Sequence, residues 1–431
     1  MPYRSILKVI KPNDAGICKF LYSFKHYKTI GLKKIDLTRY YAVLGKDYWV
    51  EWFRSLFSVI KSSVAAGPNF KHRLTNNRIM NRIQKLGLIV DESGYDAYVV
   101  TNSSNVLYYT GTIGGGRLVI APGREPVLLS GGLNIAPALD LVRDCKVIPY
   151  SRENGNEVFA NALLGCKTVA FDGINDRLKS TVEELENVDS QIAPDLVKDM
   201  RKIKDKKEIN LMRRAGELAD LGMQVIKDFL MEGVKEYEVA AEAAYAMRKN
   251  GAEALAFPFI VVSGPRAAYP HGGVTDRKLR KGDFVTIDMG AEYKHYKTDI
   301  TRTFIMGEPT EKMKTIYETV LKANLAALDM IKPGVPGNEI HNKAAKIIAE
   351  AGFGEFFNHG LGHGVGLDVH EGPSLSTRSK DLLMTGNVVT DEPGIYIRGY
   401  GGVRIEDTIL VTENGAERLT LFPKDIDYII V

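Results

Sequence analysis

Residues 233–251 read GVKEYEVAAEAAYAMRKNG, and residues 334–352 read GVPGNEIHNKAAKIIAEAG. The two stretches lie 101 residues apart and align without a gap. Six of the nineteen positions are identical, namely Gly233/Gly334, Val234/Val335, Glu238/Glu339, Ala243/Ala344, Ala244/Ala345 and Gly251/Gly352. Composition alone would give about one identity over such a length, so the pattern predicts a duplicated unit in which a helix is followed by a strand.

Acidic residues and histidines follow each copy of the repeat, in glycine-rich or strand-like contexts. Four carboxylates and one imidazole are candidate metal ligands: Asp288, Asp299, His363, Glu392 and Glu406. Any one of them alone would more often be a cap, a turn former or a packed side chain. Six of the eight histidines lie between residues 271 and 370, however, and the whole set matches a two-metal hydrolytic site set between two pseudo-equivalent lobes.

The types of ligand restrict the metal. Four oxygen donors with one imidazole favour two divalent ions per chain, Mn²⁺ or Co²⁺, and leave Fe²⁺ and Zn²⁺ open. In such a site two cations share a water, lower its pKa and direct the hydroxide at a carbonyl or phosphoryl centre. The ordinary zinc motif is excluded, because His370-Glu371 is followed by Ser374 where that motif needs a second histidine.

These segments resemble the pita-bread metallopeptidases, the family of Xaa-Pro dipeptidase, Xaa-Pro aminopeptidase and methionine aminopeptidase. The intervals between the five candidates look like that family's ligand pattern over residues 200–431, and residues 80–194 look like the creatinase/prolidase N-terminal domain. The resemblance implies an α+β fold class. Residues 199–431 would form a duplicated pita-bread catalytic domain, residues 80–198 an α/β domain with a mixed sheet, and residues 1–79 a basic aromatic leader.

The resemblance also implies a role for each ligand. Asp299 and Glu406 would bridge the two ions, Asp288 would chelate one of them, and His363 with Glu392 would complete the other. A bridging hydroxide would attack the scissile carbonyl, metal charge would stabilise the oxyanion, and Glu392 would shuttle the proton to the departing amine.

Three further residues match the family around this centre. His271, in Tyr-Pro-His-Gly, and His370, in Asp-Val-His-Glu, would contact the substrate and the tetrahedral intermediate, or else support the ligands or pack in the core. Arg404 would bind substrate, with a buried charge partner for the acids as the alternative. His359 is a candidate support for His363.

The implied activity is hydrolysis of the Xaa-Pro bond, most closely that of dipeptides. The segments from His363 to Glu371 and from Gly399 to Asp407 look more like prolidase-type members than like aminopeptidase P, which remains the alternative function. A non-catalytic binding module is a third hypothesis. The expected partners are short proline-containing peptides and a second copy of the chain in a homodimer.

Short β-like runs alternate with helical ones before residue 194, as in an α/β domain. Two glycine-containing stretches, 114–117 and 122–126, are predicted to be hairpin turns, since neither has the ending of a phosphate loop. A charged junction at residues 201–207 leads into an amphipathic helix that Gly233 is expected to end.

Charge is distributed unevenly in this chain of 431 residues. The first 79 residues hold fifteen Lys/Arg and four Asp/Glu, which leaves forty-two and forty-nine for the rest. Trp49 and Trp52 lie on one face of a helix predicted in this leader. A docking helix, a membrane-surface or nucleic-acid contact, and translation starting at Met80 remain open there.

Cysteine usage and hydropathy indicate the compartment. The three cysteines show no paired spacing, so a reducing cytoplasm is expected. No stretch reaches about 18 uncharged apolar residues, so neither a membrane span nor secretion is predicted. A membrane is therefore not an expected partner. Nucleic acid is not expected as a partner either, apart from the contact left open for the leader.

Overall fold

A computed structural model of the chain describes residues 80–185 and 187–431. Residues 80–431 form one compact unit. The leader, with the helix predicted around Trp49 and Trp52, lies outside the described residues. Within the described ranges, no helix is both long and apolar enough to cross a membrane.

The first part of this unit is built on a mixed six-stranded sheet. Its strands are β1 (Ala97–Val100), β2 (Arg117–Ile120), β3 (Val127–Gly131), β4 (Lys146–Tyr150), β5 (Thr168–Phe171) and β6 (Asp189–Ile192). They lie in the order β4-β3-β2-β1-β5-β6. Strand β2 is antiparallel to both of its neighbours, whereas the other pairings are parallel. The mixed sheet predicted for this part is therefore present.

Six α-helices accompany the sheet in the described residues. They are α1 (Arg82–Glu92), α2 (Ser103–Thr110), α3 (Ile135–Leu141), α4 (Gly155–Ala162), α5 (Asp176–Glu183) and α6 (Asp195–Lys202). Helix α1 begins at a capping box between Asn81 and Gln84, which satisfies two backbone amides that the helix leaves free. The boundary predicted between residues 198 and 199 falls inside α6.

Of the two hairpin turns predicted for this part, one is present and the other prediction is wrong. Residues 122–125 form the expected hairpin turn between the antiparallel strands β2 and β3. Gly114, Gly115 and Gly116 instead connect helix α2 to β2, with φ of 97°, 75° and 145°. They turn the chain from a helix into a strand, and glycine tolerates those positive φ angles without the strain of a side chain.

The second part contains the two halves implied by the repeat. The first half consists of α7 (Lys206–Phe229), α8 (Glu236–Lys249), β7 (Ala254–Leu255), β8 (Ile260–Ser263), β9 (Phe284–Met289), β10 (Ala291–Tyr293), β11 (Tyr296–Lys297) and β12 (Ile300–Ile305). The second half consists of α9 (Glu311–Leu328), α10 (Gly337–Glu350), β13 (Gly362–Gly364), β14 (Glu371–Leu375), β15 (Val388–Asp391), β16 (Gly394–Ile397), β17 (Gly401–Arg404), β18 (Asp407–Val411), β19 (Ala416–Arg418) and α11 (Ile426–Ile429).

The duplication extends to the turns that precede α8 and α10, which begin and end 101 residues apart. Gly233 and Gly334 have φ of 92° and 85°. Their amides donate to the carbonyls of Leu279 and Leu383, at 2.9 and 2.8 Å. Helix α7 ends at Phe229, before the predicted Gly233, which belongs instead to the turn into the next helix.

The strands of the two halves meet edge to edge. Strand β9 lies between β8 and β12, and β15 likewise lies between β13 and β18, in antiparallel pairs throughout. A β-bridge from Thr301 to Glu406 joins the two sheets. One apolar core contains side chains of both halves. The strand ends that carry the candidate ligands therefore converge at the junction of the halves.

Candidate metal centre

The five candidate ligands lie together at this junction. Asp299, His363 and Glu406 each offer a ligand atom within 4.8 Å of those of the other two. Nε2 of His363 lies 3.4 Å from Oε1 of Glu392 and 3.8 Å from Oδ2 of Asp299. Asp288 completes the group, because its charge is among those that raise the pKa of Asp299.

Antiparallel register explains how residues distant in sequence converge. Asp288 lies in β9 opposite Thr301 of β12, and Asp299 immediately precedes β12. In the second half Glu392 directly follows β15, and Glu406 directly precedes β18, its antiparallel neighbour. Each half thus contributes two carboxylates from adjacent strands.

Two threonines that were not predicted orient the ligands. The Thr301 hydroxyl donates to Oε2 of Glu406 at 2.6 Å. The Thr390 hydroxyl accepts from the backbone amide of His363 at 3.0 Å and donates to Oε1 of Glu392 at 3.2 Å. Each threonine lies two residues from a ligand, so strand alternation was the available signal for both of them.

Unpaired oxygen atoms indicate what this site holds. Oδ1 of Asp288, Oδ1 of Asp299 and Oε1 of Glu406 are buried and have no hydrogen-bond partner among the described residues. Buried polar atoms are rarely left unpaired, since desolvation without a partner is costly. Three such oxygens on acids of one cluster fit divalent cations, which prefer carboxylate ligands.

The pKa values of the candidate carboxylate ligands also indicate a cation site. Burial, reinforced by Glu406 and Asp288, raises the pKa of Asp299 well above its usual value. Burial with the charges of Glu392 and Asp288 likewise raises the pKa of Glu406. Burial also raises the pKa of Glu392 to about 8, although Arg404 opposes this change. Without cations, ionising all of these acids together is therefore unfavourable.

His363 is prepared to bind a cation. Burial, with His370 nearby, lowers its pKa to about 4, so the ring is neutral at neutral pH. Nδ1 lies 3.1 Å from the carbonyl oxygen of Gly364, and a carbonyl only accepts, so Nδ1 carries the proton. The lone pair of Nε2 therefore faces the oxygens of Glu392 and Asp299. A cation between these atoms would turn that repulsion into coordination.

Arg404 lies beside the ligands and is buried. Its Nη2 donates to Oδ2 of Asp288 at 2.6 Å, Nε to the hydroxyl of Thr301 at 3.1 Å, and Nη1 to the hydroxyl of Tyr396 at 3.0 Å. The guanidinium is thus a charge partner of the acidic cluster. It also forms part of the site wall, so both of its predicted roles remain compatible with the geometry.

The other predicted histidines surround the centre at different depths. His370 is exposed, and the centre of its ring lies 4.1 Å from that of His363. His271 is also exposed, in a turn. His359 does not support His363 as expected, because its nitrogens contact the Gly360 carbonyl and the Tyr396 hydroxyl. Burial, followed by Arg404 and less strongly by His271, lowers the pKa of His359 to about 4.

Two family models match the described part of the chain. Residues 210–413 match metallopeptidase family M24, and residues 82–203 match the creatinase/prolidase N-terminal domain. The Xaa-Pro dipeptidase of Pyrococcus horikoshii is 41% identical over 358 residues, which cover 81% of this chain and 99% of that protein.

Solved structures of Xaa-Pro peptidases are also similar to this chain. The Xaa-Pro dipeptidase from Bacillus anthracis superposes with a TM-score of 0.78 at 37% identity, covering 81% of this chain and 99% of the other. The X-Pro aminopeptidase from Thermotoga maritima superposes with a TM-score of 0.72 at 35% identity, covering 78% of this chain and 98% of the other. These likenesses confirm the α+β fold class, with its duplicated pita-bread domain, that the sequence predicts.

Proposed function

The chain belongs to metallopeptidase family M24, and on that premise we propose that it hydrolyses the Xaa-Pro bond of dipeptides at a centre of two divalent metal ions. The observation that carries this proposal is the set of three buried, unpaired carboxylate oxygens on Asp288, Asp299 and Glu406. They lie where four acids and the Nε2 atom of a neutral histidine converge.

We assign metal binding and proton transfer to particular residues of the site. Asp288, Asp299, His363, Glu392 and Glu406 would hold the metal ions. Bound divalent ions supply a water of lowered pKa and polarise the scissile carbonyl. Oε1 of Glu392 accepts from Thr390. We assign proton transfer to its other oxygen, Oε2, which makes no hydrogen bond to the described residues. This oxygen would pass the proton from the attacking water to the departing proline nitrogen.

The remaining groups would bind and orient the peptide. His271 and His370 are exposed at the site and would contact the substrate and the negative charge that develops on its carbonyl oxygen. Arg404 would bind substrate while its bond to Asp288 keeps that carboxylate oriented. The buried Thr301 and Thr390 keep Glu406 and Glu392 in single orientations.

Xaa-Pro aminopeptidase activity is the alternative, because the chain also superposes on an X-Pro aminopeptidase. A panel of Met-Pro, Leu-Pro, a longer Xaa-Pro-Yaa peptide and a dipeptide without proline, assayed with Mn²⁺, separates the two. Cleavage of the proline dipeptides alone is the expected result. Cleavage of only the longer peptide would establish the aminopeptidase instead, and cleavage of none would leave a binding module.

The finer properties belong to the same proposal. Mn²⁺ or Co²⁺ suits an oxygen-rich site with one imidazole. Cys145 and Cys166 are both free thiols, which favours a reducing cytoplasm. We also propose a homodimer that takes short proline-containing peptides. Light scattering tests the dimer, and activity restored to metal-stripped protein by single metals tests the metal.

A further inference from the structure

A balanced cluster of charges lies beside the proposed metal centre. Residues 365–370 connect β13 to β14 and carry His370, and this segment is called the His370 loop here. Asp368 lies within the loop, and Glu371 directly follows it. Two cations, Arg201 and Lys204, neutralise these two carboxylates. The loop is thus held from one side by a stretch that precedes the duplicated halves.

The contacts of this cluster are close, and three of its four side chains are largely removed from solvent, whereas that of Asp368 is 41% exposed. Nη2 of Arg201 donates to Oδ2 of Asp368 at 2.8 Å and also to Oε2 of Glu371. Nζ of Lys204 donates to Oε1 of Glu371 at 2.7 Å. The side chain of Arg201 is 8% exposed and that of Lys204 is 1% exposed. Buried ion pairs with several bonds fix geometry far better than surface pairs do.

The N-terminal sheet domain holds the other end of this cluster. Nη1 of Arg201 donates to Oδ1 of Asn105 at 2.6 Å. The amide of Asn105 in turn donates to Asp172, which follows β5, at 2.7 Å. The hydroxyl of Ser104, in α2, donates directly to Oδ1 of Asp368 at 2.6 Å. The position of the loop therefore depends on that domain as well as on the catalytic halves.

Packing leaves the loop little freedom around these bonds. Val365 and Leu367 are buried in an apolar cluster that also contains side chains of α1, β1 and α2. The carboxylate of Glu371 lies against Gly366, where an added Cβ would come within 2.4 Å of Oε1. Nζ of Lys297 donates to the carbonyl of Leu367 at 2.8 Å. Moving Glu371 would therefore displace the loop backbone.

We propose that Arg201 and Lys204 are positioning residues for His370: by binding Asp368 and Glu371 they hold the His370 loop so that the His370 ring stays against His363. The N-terminal domain then sets part of the catalytic geometry. This inference rests on the proposed function for the role of His370, but the clamp itself is a property of the fold. The proposed role of His370 in catalysis can therefore be wrong while the clamp is still present.

Hydrogen exchange followed by mass spectrometry tests the clamp in the full-length, Mn²⁺-loaded protein. In Arg201→Gln, amides of the His370 loop should exchange about tenfold faster than in wild type. The substitution removes the ion pairs that oppose local opening of the loop. Ser104→Ala removes a single bond and should change exchange in the same direction by less. Arg213→Gln is the control, because it breaks a partly exposed ion pair with Glu417 elsewhere.

Kinetics provide the second readout. In Arg201→Gln the kcat for Met-Pro should fall about tenfold through misplacement of His370, with little change in KM or in bound Mn²⁺. Arg201→Lys should recover only part of the loss, since an ammonium cannot reproduce the guanidinium fork. Faster exchange confined to the loop would support the clamp even if wild type cleaved no proline dipeptide.

Two results would overturn the inference. One is a hydrogen-exchange rate of the His370 loop that is the same in Arg201→Gln, in Ser104→Ala and in the wild type. The other is a lowered melting temperature of Arg201→Gln with kcat unchanged per folded molecule, which would make the cluster structural only. Ser104→Ala keeps the test decisive if Arg201→Gln does not fold.

Discussion

Nη2 of Arg404 donates to Oδ2 of Asp288 at 2.6 Å, while Oδ1 of the same carboxylate has no partner among the described residues. One oxygen of Asp288 is thus neutralised by the protein and the other is left for a cation. Arg404 and the metal ions would therefore together balance the charge of the four acids.

Arg404→Met should destabilise the metal-free protein more than the Mn²⁺-loaded protein. Removing one partner of a buried ion pair costs about 3 kcal/mol, because the other charge is left uncompensated. Bound Mn²⁺ would offset part of that charge. Chemical denaturation with and without chelator measures the difference. Arg214→Met, which removes an exposed pair with Glu217, is the control. Equal losses in both conditions would contradict this sharing of charge.

Gly290→Ala should disturb the metal site through the backbone. An added Cβ would lie 1.9 Å from the carbonyl oxygen of Thr298, the residue before Asp299. We expect a loss of about 2 kcal/mol in unfolding free energy and less Mn²⁺ retained after dialysis. Gly173→Ala, where a Cβ meets nothing within 4 Å, should change neither. Normal Mn²⁺ content in Gly290→Ala would show that Asp299 tolerates the shift.

The repeat predicts matched effects at two distant glycines. Gly233→Ala and Gly334→Ala each place a side chain at a positive φ, with open space around the Cβ in both cases. Each should therefore lower the unfolding free energy by about 1 kcal/mol, from backbone strain alone. Denaturant melts of the two variants should nearly coincide. A large effect at only one position would mean that the two turns are not equivalent.

Asp368 should make stability depend on pH. Burial alone would raise the pKa of this carboxyl, but Arg201 and Ser104 outweigh burial and hold it below the ordinary 3.8. A group whose pKa is lowered by folding adds stability above its unfolded pKa and loses it as pH falls through the folded value. Metal-free Asp368→Asn should therefore melt below wild type at pH 6, and the gap should close below about pH 4. A gap that is constant with pH would exclude this cause.

The sequence predicted the parts of the fold that carry a local or periodic signal. The duplication rests on the identical positions from Gly233 to Gly251 and from Gly334 to Gly352, which correspond to turns with left-handed glycines and to helices of equal length. Strands β1, β2, β3 and β5 carry their own apolar runs, whereas β6 is polar and exposed. The Gly114–Gly116 connection was misread because its positive φ angles serve a helix-to-strand turn as well as a hairpin.

The parts that it did not predict depend on distant partners. The sequence identifies residues 201–207 only as a charged junction, and it does not reveal that Arg201 and Lys204 are buried. Their partners Asp368 and Glu371 lie 167 and 170 residues from Arg201, and no periodicity connects them. The pairing of His359 with Tyr396 is equally invisible in sequence. Tertiary contacts decide these residues, whereas propensity and charge pattern do not.

The most direct test of the central claim is the hydrolysis of Met-Pro by chelator-stripped protein as Mn²⁺ is added back. The stripped protein should be inactive. Activity should return with two equivalents of Mn²⁺ per chain in the wild type, and Glu406→Ala should not recover at all, because it lacks one of the carboxylates proposed to hold the ions. Full hydrolysis by stripped protein, or recovery of Glu406→Ala to the wild-type rate, would contradict a peptidase centre built on these residues.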